Sequence, residues 1–368
     1  MKSIEIDRNK ALFEEPAKGH NRWHPDIPPV IEVDEGEEVV LETRETSDRA
    51  TRPGMTAAEA QRRPGLIHPL TGPVFVKGAE PGDLLEVEYL DIVPGPWGFT
   101  RCGPGIGFLP DLLDEPLLAH WDIADGWATS QQVPGVRIAD GCFMGTAGVA
   151  PSREQLVAWT KREAALVERG GRAMLPESTD AVPNGEPFAS EGLRTAPPRE
   201  NCGNVDAKQL TRGSKLFLPV SVPGALYSAG DGHFAQGDGE ACITAIEMDA
   251  TVSVRFRLHK GEAARKNIRW PRFSHADYFQ PAQWAAPKNF IATMGMPVTN
   301  DGVQENGDLN LAARNALLNM IDVLQERGYS PAQAYIICSV AVDLRISNLV
   351  DAPNYTVSAF LSEDIFRG

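Results

Sequence analysis

Apolar and polar positions alternate with a period of two along several stretches of the chain, the pattern of a strand with one face buried. The cleanest case sets Val252, Val254, Phe256 and Leu258 against Ser253, Arg255, Arg257 and His259. A second runs from Leu84 to Ile92, with Val87 and Tyr89 on one face and Glu86 and Glu88 on the other. The turn Glu80-Pro81-Gly82-Asp83 introduces it, Pro presetting φ and Gly permitting a positive φ. Shorter strands are predicted at Val30–Val33 and Val39–Thr43, either side of Asp34-Glu35-Gly36-Glu37. Others are predicted at Leu216–Val222, at Leu226–Ala229, after Gly72-Pro73, and from near Cys242.

Three segments carry helical signals instead. Ser152-Arg153-Glu154-Gln155 reads as a capping box opening a helix through about Glu168, stopped by Gly170-Gly171. Leu309 to Arg327 has apolar residues at helical spacing (Leu311, Leu317, Leu318, Ile321, Leu324) and ends at Gly328. Ser330-Pro331 starts another helix, with Pro in the first turn. The fold class is therefore α+β and β-rich: antiparallel strands in sandwich- or barrel-like sheets with a few flanking helices. Pro, Glu, Ser and Gly crowd residues 176–200, a loop or linker. It divides a β-rich lobe at 1–175 from an α+β lobe at 201–368, unless the two form one compact domain.

A net charge of −15 argues against nucleic-acid or anionic-membrane partners, which reward clustered Lys and Arg. Met1-Lys2-Ser3-Ile4-Glu5 lacks an apolar signal core, and no apolar run reaches bilayer-spanning length. Five scattered cysteines (102, 142, 202, 242, 338) form no C-x-x-C pair, which fits reduced thiols in a cytoplasmic protein.

The densest chemistry lies in Ser228-Ala229-Gly230-Asp231-Gly232-His233-Phe234-Ala235-Gln236-Gly237-Asp238-Gly239-Glu240. Asp231 and His233 are two apart, so an extended backbone points both the same way. Such a pair holds a divalent metal or makes an orienting carboxylate–imidazole contact, with Glu240 as proton carrier beside it. A glycine-rich turn with solvated carboxylates is the plain alternative. Asp206, in Asn201-Cys202-Gly203-Asn204-Val205-Asp206, either joins the same site or serves an Asx turn. His68 precedes a strand and would ordinarily be a surface residue. His20 and His24 are four apart, but Pro25, Pro28 and Pro29 rule against a helical metal pair, leaving pocket or packing roles. Cys142 and Cys202 are weak candidates for a nucleophile.

Jointly, four segments resemble the acetamidase/formamidase family. They are Arg22-Trp23-His24-Pro25-Asp26-Ile27-Pro28-Pro29, Leu70-Thr71-Gly72-Pro73 through Gly78–Leu85, Gly203-Asn204-Val205-Asp206, and Gly230–His233 through Gln236–Glu240. The first of these, with Trp97-Gly98-Phe99-Thr100, leans toward formamidases. Two departures are visible: Cys202 stands where Gly is usual, and Gly141-Cys142-Phe143-Met144-Gly145 replaces a Pro- and His-containing stretch. The resemblance implies a β-rich homo-oligomer that hydrolyses formamide or acetamide to the acid and ammonia.

Amide hydrolysis needs a polarised carbonyl, a nucleophile and a proton for the leaving nitrogen. Residue chemistry assigns His68, Asp206 and His233 to a divalent metal, zinc by preference. Glu240 becomes general base then acid, and Asp231 orients His233 or joins the ligands. Asn204 is assigned to substrate binding, with Trp23 and Phe234 as pocket walls. A metal-free amidase with a Cys nucleophile and a non-catalytic small-molecule binder remain as rivals.

Overall fold

The computed structural model describes residues 1–60, 63–280 and 287–367. Its centre is the strand Glu247–His259, whose buried face carries Val252, Val254 and Phe256 as the alternation requires. Leu84–Cys102 runs antiparallel along one edge of it and Glu38–Thr43 along the other. Among the described residues, fifteen strands join this branched and mostly antiparallel network.

Leu84–Cys102 continues ten residues past the predicted end at Ile92. Pro94 and Pro96 each lack an N–H, which argues for a break from sequence alone. The strand passes them because the pairing register slips between Met248 and Ala250, so the prolines fall at an irregularity in the ladder. Likewise Tyr227–His233 runs beyond the predicted Leu226–Ala229, because it is paired on both sides. Phe143–Gly148 flanks one edge and Leu70–Val76 the other, and its last residues reach the start of Glu247–His259. These strands come from both sides of 176–200. That segment holds the short helix Phe188–Glu191 and the strand Leu193–Arg194, which pairs with Arg22–Trp23.

The helices form where their caps predict. Ser152 accepts from Gln155 N to open Arg153–Glu168, and Ser330 accepts from Gln333 N to open Pro331–Ala341. Leu309–Glu326, capped by Asp308, buries Leu317, Met320, Ile321 and Leu324 against a three-stranded sheet of Phe290–Gly295, Thr356–Ser362 and Val342–Asn348. No described helix is long and apolar enough to cross a membrane.

The His20–Pro29 region is structural. Arg22 is fully buried and its guanidinium donates to the main-chain oxygens of Asn21, Gly65, Glu177 and Thr179, tying three segments together. His20 Nε2 shares a 2.8 Å hydrogen bond with Ser228 Oγ, and burial lowers the His20 pKa to about 4. The unfolded chain therefore binds this proton at a higher pH than the folded one. Stability is full above the ordinary histidine pKa and is lost as pH falls toward about 4. Between pH 6.5 and 5 the single group removes about 1.5 kcal/mol. His20→Gln, which keeps a hydrogen-bonding head without the charge, is expected to flatten that part of the pH–stability curve in urea denaturation. An unchanged slope would assign the acid sensitivity elsewhere.

Candidate active site

Four chain segments deliver ionisable groups to one place. The Tyr227–His233 strand supplies Asp231 and His233, and the loop after it supplies Glu240. Glu247 opens the central strand, Asp206 follows the short strand Cys202–Asn204, and His68 precedes Leu70–Val76. Three of these carboxylates sit in left-handed backbone: Asp206 at φ 48°, Asp231 at φ 58° and Glu240 at φ 42°. Residues other than glycine adopt that region at a cost of about 1 kcal/mol or more, and such costs gather at functional sites.

His233 is the hub. Its Nε2 lies 3.1 Å from Glu247 Oε2 and 3.5 Å from Asp231 Oδ1. On the other side, Nδ1 is 3.0 Å from Gln236 Oε1, while Gln236 Nε2 donates to the main-chain oxygen of Asp206 at 2.9 Å. The carbonyl contact fixes the orientation of the Gln236 amide, so its acceptor faces His233 and the ring proton belongs on Nδ1. Nε2 is then the atom turned toward the carboxylates. Phe143 packs edge-on against the ring at 5.0 Å.

Asp231 also touches His68, whose Nε2 lies 3.7 Å from Oδ2, and Thr146, whose Oγ1 lies 3.1 Å from Oδ2. Thr146 Oγ1 is 2.6 Å from Asn204 Oδ1 as well. One hydroxyl hydrogen cannot serve both oxygens; an Asn204 amide turned to donate to Thr146 satisfies both contacts.

Burial sets the electrostatics. It opposes ionisation of Asp231, yet the adjacent His68 and His233 hold that carboxyl well below the usual range. Burial also works against a charged His233, but Glu247 and Asp231 outweigh it and raise the ring well above its ordinary value. Burial lowers His68. It pushes Glu240 and Glu247 each up to about 8, and with the neighbouring Glu240 charge it raises Asp206 well above the carboxylate range.

Four buried atoms here make no well-aligned hydrogen bond, although His233 Nε2 stands close to two of the others: Asp206 Oδ1, Asp231 Oδ1, His233 Nε2 and Glu247 Oε2. Space is kept among them by Gly145, where a Cβ would stand 2.7 Å from Asp206 Oδ1, 2.8 Å from Asp231 Oδ2 and 2.8 Å from His233 Cε1. Among the described residues two overlapping sets have ligand atoms within 4.8 Å of one another: Asp206, His233 and Glu240, and Asp231, His233 and Glu247. A nitrogen and carboxylate oxygens, buried and crowded together in either set, suit a divalent cation.

Of the residues expected from sequence, Asp206, Asp231, His233 and Glu240 converge. His68 falls in neither cation-sized set and instead pairs with Asp231. Trp23 and Phe234 do not line the cavity above the site. Trp23 packs with Leu70, Leu156, Trp159 and Leu193, and Phe234 belongs to the main core. Sequence reasoning missed Glu247, Thr146, Gly145 and Gln236. A lone Glu in the apolar run Ala245-Ile246-Glu247-Met248 was the available signal. Cys142 and Cys202 are buried outside the cavity lining, and burial pushes the Cys202 thiol up to about 12. Neither is poised as a thiolate.

A β-rich sheet that gathers buried carboxylates and imidazoles at the floor of a cavity has the equipment of a hydrolase. The chain belongs to the acetamidase/formamidase family, matched over residues 5–368. It is 36% identical to the acetamidase of Mycolicibacterium smegmatis, over 90% of this chain and 87% of that one. It is 35% identical to the formamidase of Methylophilus methylotrophus, over 100% of this chain and 94% of that one. The gamma lactamase from Delftia acidovorans shares its fold, with a TM-score of 0.94 and 37% identity over 100% of this chain and 94% of that one. The protein is an amidase that hydrolyses the C–N bond of small amides to carboxylate and ammonia.

Gly145→Ala places a methyl group among Asp206, Asp231 and His233. Displacements of about 1 Å at reacting groups cost on the order of 100-fold, and kcat/KM for acetamide is expected to fall by at least that. A fully active, normally folded variant would show that the reacting groups do not meet beside this glycine.

Proposed function

We propose that hydrolysis takes place at the cavity floor formed by Asp231, Glu240 and Glu247 and depends on a divalent cation, zinc before others. The residues to hold it are His233 through Nε2 and the carboxylates of Asp231 and Glu247, whose ligand atoms lie within 4.8 Å of one another. One observation carries the reading: buried Asp231 Oδ1, His233 Nε2 and Glu247 Oε2 crowd within 4.8 Å of one another with no well-aligned hydrogen bond among them. Each such atom, left unsatisfied, costs about 1–3 kcal/mol, and one cation would answer the three of Asp231, His233 and Glu247. When bound, such an ion polarises an amide carbonyl and brings the pKa of water to about 7.

The chain's own groups do the rest. Glu240, raised to about 8 by burial, exchanges a proton near neutral pH. It takes one from the attacking water and gives it to the departing nitrogen. Asp231 stays ionised between His68 and His233 and keeps both rings in place. Gln236 keeps the His233 proton on Nδ1, away from the reaction. Asn204 presents its amide from the cavity wall to the polar atoms of the substrate. Formamide and acetamide are the first substrates to test, and the gamma lactamase, by its name, extends the same chemistry to a ring amide.

A cytoplasmic homo-oligomer completes the proposal. Five free, buried cysteines support a reducing compartment. The outward face of the Phe290–Gly295 strand exposes Phe290 and Met294 beside Phe360, an apolar patch suited to a second copy.

Dialysis against a strong chelator is expected to abolish ammonia release, and added zinc to restore it, with bound zinc followed by mass spectrometry. Activity that persists in protein measured as metal-free would discard the cation and keep the carboxylates. Glu240→Gln should lower kcat by about 100- to 10,000-fold, with zinc content recorded alongside; full activity would end the proton-carrier role. Light scattering should return a multiple of the chain mass, reduced by Met294→Asp. A monomeric mass would remove the self-association surface.

A further inference from the structure

Above the polar floor, the cavity is far larger than the smallest amides need. It encloses about 320 Å³. Water occupies about 30 Å³ per molecule in the liquid, so formamide, with three heavy atoms, fills at most about 90 Å³. Cavities from about 300 Å³ upward are the size that buries ligands of many heavy atoms. The walls are apolar for the larger part, with Ile67, Phe99, Ile106, Met174, Pro197 and Ile243 beside Arg63, Arg101 and several hydroxyl side chains.

Ile243 adds an independent observation. It is 43% exposed, yet its backbone is held at φ 85°, a conformation that a β-branched side chain adopts only under strain. Its N–H donates to Glu240 O at 2.9 Å, so the same tight turn carries the proposed proton carrier and an apolar side chain at the cavity. A strained, exposed isoleucine beside the reacting groups gains nothing from folding alone. It gains if an apolar acyl group covers it.

We infer that the enzyme's preferred substrates are amides with a branched or cyclic apolar acyl group, seated between Ile243 and Phe99 with the amide directed at Glu240 and Glu247. This rests on the reading of the cavity floor as the reaction site. The reaction itself is unchanged: water adds to the carbonyl carbon, the C–N bond breaks, and the nitrogen leaves as ammonia with the proton it receives.

The test is a kcat/KM series over formamide, acetamide, isobutyramide, cyclohexanecarboxamide and benzamide, with ammonia as readout. Burial of each added methylene is worth about fourfold, so cyclohexanecarboxamide should exceed acetamide by about 100-fold or more. Ile243→Gly, which relieves the backbone strain and removes the wall, should shrink the cyclohexanecarboxamide-to-acetamide ratio about tenfold. If formamide and acetamide are turned over best, the apolar-acyl inference fails while the cavity floor stands as the reaction site. If Gly145→Ala and Glu240→Gln leave every member of the series unaffected, the floor itself is misplaced and the inference falls with it.

Discussion

The structure turns on taking four carboxylates and two imidazoles largely out of water together. Removing one ion from water costs several kcal/mol in a protein interior, so Asp206, Asp231, Glu240 and Glu247 stay there only because rigid elements hold them from several directions. The Tyr227–His233 strand is paired on both edges, and its end meets the start of Glu247–His259. That crossing fixes Asp231, His233 and Glu247 relative to one another before any ligand arrives. The left-handed turns at Asp206 and Glu240 aim the remaining carboxylates at the same imidazole. Gly145, on the neighbouring strand, leaves the space in which they meet.

The support is layered outward in the same manner. Gln236 holds the His233 ring through Nδ1, and its own amide is anchored on the Asp206 main chain. Thr146 and Asn204 brace Asp231. Farther out, the Arg22 guanidinium locks residues 177 to 179 against the start of the chain. Met174, three residues before that segment, lines the cavity wall. An apolar wall over a polar floor follows from this arrangement: the floor spends the polar groups, and the walls exclude the water that would screen them.

Much of this was legible in the sequence where a local rule governs. Capping boxes at Ser152 and Ser330 marked two helices, and strict alternation from Val252 to Leu258 marked the central strand. The i, i+2 spacing of Asp231 and His233 read correctly as two groups on one side. What stayed hidden depended on tertiary partners. The strand expected over Leu84–Ile92 runs on past Pro94 and Pro96 because a register slip in Glu247–His259 accommodates them. Trp23 looked like a pocket wall because aromatic residues serve both pockets and cores, and only its neighbours show which. Glu247 was passed over because a single acid in an apolar run reads as a solvated edge until the far strands close around it. Gly145 carried no signal, since a glycine's function here is the side chain it lacks.

Charge balance explains why one frame suits both folding and catalysis. With His233 protonated and His68 kept neutral by burial, four ionised carboxylates would leave three negative charges in excess. Without a cation, burial favours protons on Asp206, Glu240 and Glu247, and three protons cancel that excess. A divalent cation can take the place of the proton at a carboxylate that ligates it, such as Glu247, since a ligating carboxylate must be deprotonated. The same burial that makes the carboxylates costly to leave unpaired thus makes them strong ligands. It also leaves Glu240 with a pKa of about 8, close to the pH at which a proton carrier works best. A solvent-exposed cluster of identical composition would keep ordinary carboxylate values, bind a cation weakly, and have no group ready to protonate a leaving nitrogen at neutral pH.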